Sequence, residues 1–317
     1  MKPLAIAVGD PGGVGPEVSL RAAAASAPSD DEFVLYGDAR HLNQRATELG
    51  LHAERLRFVH VGVSEPIVHG PARHGGELAL LSLDRAIEAA LSGEVRGVVT
   101  GPVSKQAIAL SLPTFVGQTE HLAMRASLPL DAVTMLFLGP RLNVGLVTTH
   151  VAISRAPAEI TPGRVARTAV HLAEALLRIG AKPPVRVLVT GLNPHAGEGG
   201  RIGTEDLAAI APGVVEARAR APFASGHATI EGPLPSEAAL RFAVNQRADG
   251  VVAMIHDQAT IPTKLIDFGY SVNVTWGLPF VRTSVDHGVA FDAAARGEVD
   301  STGMESAIRM AQRLTSP

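Results

Sequence analysis

The feature that most constrains this chain is an alternation. Short runs of apolar, often β-branched residues recur from end to end, separated by longer segments whose apolar residues return every three or four positions. Runs of four to six such residues read as buried strands, and the longer segments as amphipathic helices. Strands are expected at 4–8, 33–36, 58–61, 97–100, 134–138, 144–148, 185–190, 250–255 and 272–275. Helices are expected at 16–25, 76–91, 162–179, 205–219, 236–245 and 302–314. Strands alternating with helices imply an α/β fold with a largely parallel or mixed sheet. The helix at 162 is the best delimited. Thr161 is placed to cap it, Pro162 suits its first turn, and Gly180 with Pro183 and Pro184 beyond stops it.

With 317 residues, 46% of them hydrophobic, the chain has enough apolar mass for one large core or two smaller ones. Lys+Arg 28 against Asp+Glu 31 leaves a net charge of -3, and no basic run is interleaved with aromatics, so nucleic acid is not expected as a partner. The chain has no cysteine, which removes disulfides, thiol nucleophiles and Cys-based zinc sites; any metal must be held by His, Asp or Glu. Apolar stretches such as 95–99 are too short to span a bilayer, and "MKPLAIAVGD" lacks the core of a signal peptide. A soluble cytoplasmic protein without a membrane partner is expected.

Three constellations carry candidate chemistry. "GDPGGVGPEV" at 9–18 is a strand-turn-helix opening, but no lysine follows its last glycine and Val18 stands where a dinucleotide fingerprint needs its third glycine. Two readings stay open: a tight turn needing glycine conformations, or backbone N–H groups at a helix start that approach an anion. The second constellation is His150, His195 and His256, each at or just past the end of an apolar strand. They are hydrogen-bonded structural residues or, if the strand ends share one rim, three ligands of one divalent ion. The third is "HDQATIPTK" at 256–264 with "VNVTWGLPFVRTSVDHG" at 272–288, read as mixed strand and loop. Lys264 and Arg282 lie beside apolar stretches there, which favours a cationic pocket for phosphate or carboxylate over solvated charge.

"GDPGGVGPEV", "TGPVSK", "GQTEHLA", "TTH", "NPHAGEGGRIGTED", "GPLP", "MIHDQ" and "GLPFVRTSVDHG", in that order from residue 9 to residue 288, together resemble the 4-hydroxythreonine-4-phosphate dehydrogenase family of vitamin B6 synthesis. The resemblance implies a two-domain α/β/α sandwich of the isocitrate and isopropylmalate dehydrogenase type, with the active site in the interdomain cleft at a dimer interface. The cofactor-side domain would hold 1–125 and 262–317, the central one 126–261. It implies NAD or NADP and one divalent ion (Zn, Co, Mg, Mn or Ni), used to oxidise a secondary alcohol β to a carboxylate with loss of CO2. The foremost substrate is 4-phosphohydroxy-L-threonine, giving 3-amino-2-oxopropyl phosphate.

In that family three histidines drawn from both subunits of a homodimer hold the ion, and they match His150, His195 and His256. The substrate contacts match Gln118, Thr119, Lys264, Asn273 and Arg282; Lys105 and Asp257 are candidates for proton transfer, and the cofactor falls near His287, Gly288 and Asp292. The chain departs from the family pattern in three places: Gln118 stands for a histidine, Ser236-Glu237-Ala238 for Ala-Asp-Thr, and "DAAA" at 292–295 for "DLAG" or "DIAG". These departures point to two alternatives: a paralogue acting on a 4-phospho-D-threonate or erythronate or on a cyclic cis-diol carboxylate, or a silent ligand-binding relative.

Overall fold

The computed structural model describes residues 1–26, 32–52 and 56–316. The chain divides into two compact units, one built from Met1–Ala132 with Leu278–Pro317, the other from Val133–Gly277. Both are α/β, as the alternation requires.

The strands of the first unit are β1 (Leu4–Ala7), β2 (Phe33–Gly37), β3 (Leu56–His60), β4 (Gly97–Thr100) and, from the C-terminal segment, β11 (Val281–Ser284). They lie in the order β3-β2-β1-β4-β11 with every pairing parallel. A parallel sheet covered by helices has both faces apolar, and β1, β2 and β4 are accordingly buried at every residue. The helix Arg73–Leu91 lays Leu78, Leu83 and Ile87 into a core shared with Ala5, Val34 and Val98. The C-terminal helix Thr302–Thr315 buries Met304, Ile308, Ala311 and Leu314 at one face.

The second unit contains β5 (Thr134–Leu138), β6 (Asn143–Leu146), β7 (Val185–Thr190), β8 (Ala228–Leu234), β9 (Gly250–Ala253) and β10 (Val272–Trp276). Their order is β10-β5-β6-β9-β7-β8. β10 and β6 run antiparallel to β5, whereas β6, β9, β7 and β8 are mutually parallel. The helix Pro162–Arg178 starts as its sequence dictates, with Thr161 Oγ1 accepting the N–H of Arg164 at 3.3 Å.

Several elements depart from the sequence reading, among them the unmarked helices Ala39–Glu48 and Gln118–Arg125. β8 and β11 are strands that the apolar pattern did not mark: one carries Glu231 and a Gly-Pro pair, the other a central Arg282. The segment read as strand and loop from 256 instead opens with a helix, His256–Ile266, with Pro262 inside it. The chain leaves the second unit between Gly277 and Leu278 rather than at 261/262, because that helix and β10 pack on β5, β6 and β9. Among the described residues no helix is long and apolar enough to cross a membrane.

Candidate active site

The glycine-rich opening of the first unit needs its glycines for a tight turn. The N–H groups of Asp10, Gly13 and Val14 are bonded to the carbonyls of Pro102, Asp10 and Val289, and that of Gly12 to Asp10 Oδ1 at 3.0 Å. A Cβ at Gly12 would overlap the Val68 carbonyl, and one at Gly13 would overlap Val289. The glycines are there because backbone approaches backbone, and these donors are already used. Asp10 itself is 1% exposed, its Oδ2 has no hydrogen-bond partner, and burial pushes its pKa up to about 6 against the opposing Gly12 bond. Sequence reasoning missed this group, since an aspartate in a Gly-Pro turn reads as ordinary turn chemistry.

The first unit also joins two of the residues singled out above. Gln118 opens the helix Gln118–Arg125, and its Nε2 donates to the Gly101 carbonyl at 3.0 Å while its Oε1 accepts from Arg282 Nη2 at 2.9 Å. The same Nη2 donates to Thr100 Oγ1 at 2.7 Å. Arg282 is 2% exposed, and desolvation holds its pKa down to about 10, partly offset by Glu120. Thr119 is half-buried beside Gln118. Lys105 is the first residue of a short helix capped by Ser104 Oγ, and a Cβ at Gly117 would lie 3.4 Å from its Nζ and 2.7 Å from Glu120 Oε2.

His287, Gly288 and Asp292 are exposed. A cavity of about 410 Å³ in this unit is walled by Gly13, Glu17, Arg45, His69 and the stretch Ala294–Gly297, so the far end of the "DAAAR" helix lines it and those three residues do not.

In the second unit the topology places the histidines. β6, β9 and β7 are consecutive, parallel neighbours, and His150, His256 and His195 follow their C-terminal ends. The His150 and His256 rings lie 5.6 Å apart between centroids, inclined at 42°. Two imidazoles bound to one ion through nitrogens at about 2.0–2.1 Å have ring centres roughly 5 Å apart, so the pair fits a shared ion. Thr260 Oγ1 sits 3.4 Å from His256 Nδ1, an outer-sphere contact that would turn Nε2 toward a ligand. Among the described residues no three His, Cys, Asp or Glu side chains converge as a finished cage, so His195 stands apart from the pair.

His195 lies in an unusual segment. From His195 to Gly199 five consecutive residues have positive φ, at 55, 53, 75, 44 and 68°. Three of them, His195, Ala196 and Glu198, are not glycine and carry a left-handed penalty of roughly 1–2 kcal/mol each. No sequence signal marks such a run, because only its glycines look permissive. Lys264 and Asp257 are exposed on the helix His256–Ile266, and Asn273 is half-buried on β10 with Oδ1 lacking a hydrogen-bond partner.

Residues 18–311 match the family model described as pyridoxal phosphate biosynthetic protein PdxA. The chain belongs to the PdxA family. It is 38% identical to the 4-hydroxythreonine-4-phosphate dehydrogenase of Erythrobacter litoralis over 98% of this chain and 96% of that one. The structure of the Klebsiella pneumoniae 4-hydroxythreonine-4-phosphate dehydrogenase superposes with a TM-score of 0.85 at 31% identity, covering 100% of both chains. A terephthalate 1,2-cis-dihydrodiol dehydrogenase from Burkholderia xenovorans superposes with a TM-score of 0.70 at 30% identity, over 99% of this chain and 98% of that one. A β-decarboxylating dehydrogenase from Thermococcus kodakarensis, 14% identical with a TM-score of 0.53, shares the fold, as the expected isocitrate dehydrogenase-like class requires. PdxA membership places this chain among dehydrogenases acting on a CH–OH group.

Proposed function

We propose that this chain oxidises 4-phosphohydroxy-L-threonine with NAD(P) and decarboxylates the product to 3-amino-2-oxopropyl phosphate. What carries the reading is near-full-length likeness to 4-hydroxythreonine-4-phosphate dehydrogenases. In this reading the substrate contacts are Gln118, Thr119 and Arg282, the last fixed through Nη2 by Thr100 and Gln118 as a desolvated guanidinium suited to an anionic group, together with Lys264 and Asn273. Asn273 Oδ1 is a buried acceptor suited to a substrate hydroxyl or ammonium. Lys105 and Asp257 are the proton-transfer candidates, and the cofactor falls along the stretch from His287 to Gly297.

His150, His195 and His256 would hold a divalent ion, whose Lewis acidity eases ionisation of the substrate hydroxyl and supports charge on the oxygen as CO2 leaves. A homodimer is part of this reading, and the helix that starts at His256 offers it a surface. Ile261, Leu265 and Phe268 repeat at helical spacing along and just past it and are 56, 81 and 80% exposed. A second copy covering this stripe would close over the histidine rim.

A second reading, oxidation of a cyclic cis-diol carboxylate, is favoured by the dihydrodiol dehydrogenase likeness and by Gln118. An amide bonds a hydroxyl or carboxylate without titrating. One experiment separates the two: NAD(P)H formation with 4-phosphohydroxythreonine and with a cis-dihydrodiol carboxylate, each with and without chelator. The first reading expects metal-dependent turnover on the phosphorylated substrate, at least 100-fold lower in His195→Ala and His256→Ala. Turnover confined to the diol would replace it with the second.

A further inference from the structure

We infer that Asp206 and Gln258 are positioning residues that lock the root of the His195 loop. The inference rests on the reading of His195 as a metal ligand. Asp206 is 0% exposed and begins a single π-helical turn, Asp206–Ile210, a distortion frequent at functional sites. Its carboxylate faces back into the loop: Oδ1 accepts the N–H of Leu192 at 2.9 Å, and Oδ2 accepts the Asn193 N–H at 3.2 Å and the Asn193 Nδ2 at 2.8 Å. All three bonds fall within three residues of His195. Gly191 lets the carboxylate approach, since a Cβ there would stand 2.6 Å from Asp206 Oδ1 and 2.8 Å from the Ala196 Cα.

Gln258 holds the same root from the other side. Its Oε1 accepts the N–H groups of Met254 and Ile255 at 2.9 and 3.3 Å, fixing the start of the helix that carries His256. Its Nε2 donates to the Gly191 carbonyl at 3.0 Å and to Ser236 Oγ at 3.1 Å, and Ser236 Oγ donates in turn to Gly191 at 3.2 Å. Backbone donors on one end and a backbone acceptor on the other settle which end of the amide is which. Ser236, where the sequence departs from the family pattern, therefore belongs to this frame. A left-handed run persists only where its surroundings over-determine it. Asp206 and Gln258 supply that determination, and through it the direction of His195.

The test is Co(II) affinity of the full-length protein, read by visible absorption and chelator competition, in parent, His195→Ala, Asp206→Asn and Gln258→Glu. Asp206→Asn sets an NH2 against the backbone donors. Gln258→Glu keeps the oxygen that caps the helix, removes the donor to Gly191 and Ser236 Oγ, and sets a carboxylate oxygen against the Gly191 carbonyl. Both are expected to bind Co(II) 10- to 100-fold more weakly, the usual range for outer-sphere changes. With saturating metal, turnover should recover to within a few-fold, a split that a merely structural role would not produce. If Asp206→Asn does not fold, as judged by circular dichroism, Gln258→Glu decides alone. If His195→Ala loses metal while the frame variants bind as the parent does, the positioning role is overturned and the ligand reading stands. If His195→Ala binds as the parent does, the ligand reading falls and the frame has nothing to position.

Discussion

The molecule contains two glycine-rich turns that look alike as text and differ as physics. In "GDPGG" the glycines remove side chains so that the backbone can lie against Pro102, Val68 and Val289, and the turn is buried, its donors at Asp10, Gly12, Gly13 and Val14 all bonded. In "PHAGEGG" the chain is largely exposed, its conformation left-handed, and a Cβ at Gly199 would meet nothing within 4 Å. The first turn spends its glycines on packing, the second on direction. A glycine-rich stretch is therefore two different signals, separable only by what surrounds it.

The comparison breaks if the two turns answer substitution alike. The largest effect is expected at Gly12→Ala, where the new methyl meets a carbonyl that cannot yield; a loss of about 3 kcal/mol or more should appear in urea unfolding. Next comes Asp10, whose folded pKa of about 6 stands above its ordinary 3.8. The sign follows directly: the stability conferred by its protonated form is complete below about pH 4 and lost as pH rises through about 6, amounting to up to about 3 kcal/mol. Asp10→Asn should flatten that dependence, so that mutant and parent melt together at pH 4 and the mutant melts higher at pH 8; parallel curves would show that Asp10 is not the titrating group. The smallest effect is expected at Gly199→Ala, about 1 kcal/mol from strain alone and with Co(II) affinity unchanged. A Gly199→Ala loss equal to that of Gly12→Ala would erase the distinction.

Elements were readable where local chemistry and tertiary environment agree. The Pro162–Arg178 helix has a cap, a first-turn proline and a glycine stop, and its limits follow from those residues. Where they disagree, the pattern misleads. β8 tolerates Glu231 and Pro233 because it is the outer strand of its unit, with one edge free of the ladder. β11 buries Arg282 because Thr100 and Gln118 receive it, and no one-dimensional pattern announces partners 182 and 164 residues away. The helix at His256 holds Pro262 past its first turn, where a proline ordinarily breaks a helix.

The site shows the same division. Histidines ending strands were visible in the text, and the strands they follow are the parallel neighbours β6, β9 and β7. Asp206 was invisible, since "TED" reads as a solvated helix start until the Leu192 and Asn193 N–H groups are seen to point at it.

The interrupted build of the first unit sets an order on synthesis. A ribosome delivers all of Val133–Gly277 before it delivers β11, and that inserted unit begins and ends on paired neighbours, Thr134 opposite Trp276, so its two ends close on each other. Until the last forty residues emerge, β4 lacks the strand that registers Val281 to Ser284 against Gly97 to Thr100, and the face destined for Met304, Ile308 and Leu314 stays uncovered. The nascent first unit therefore carries an open sheet edge while Val133–Gly277 is being made, an edge of the kind that invites pairing with another chain.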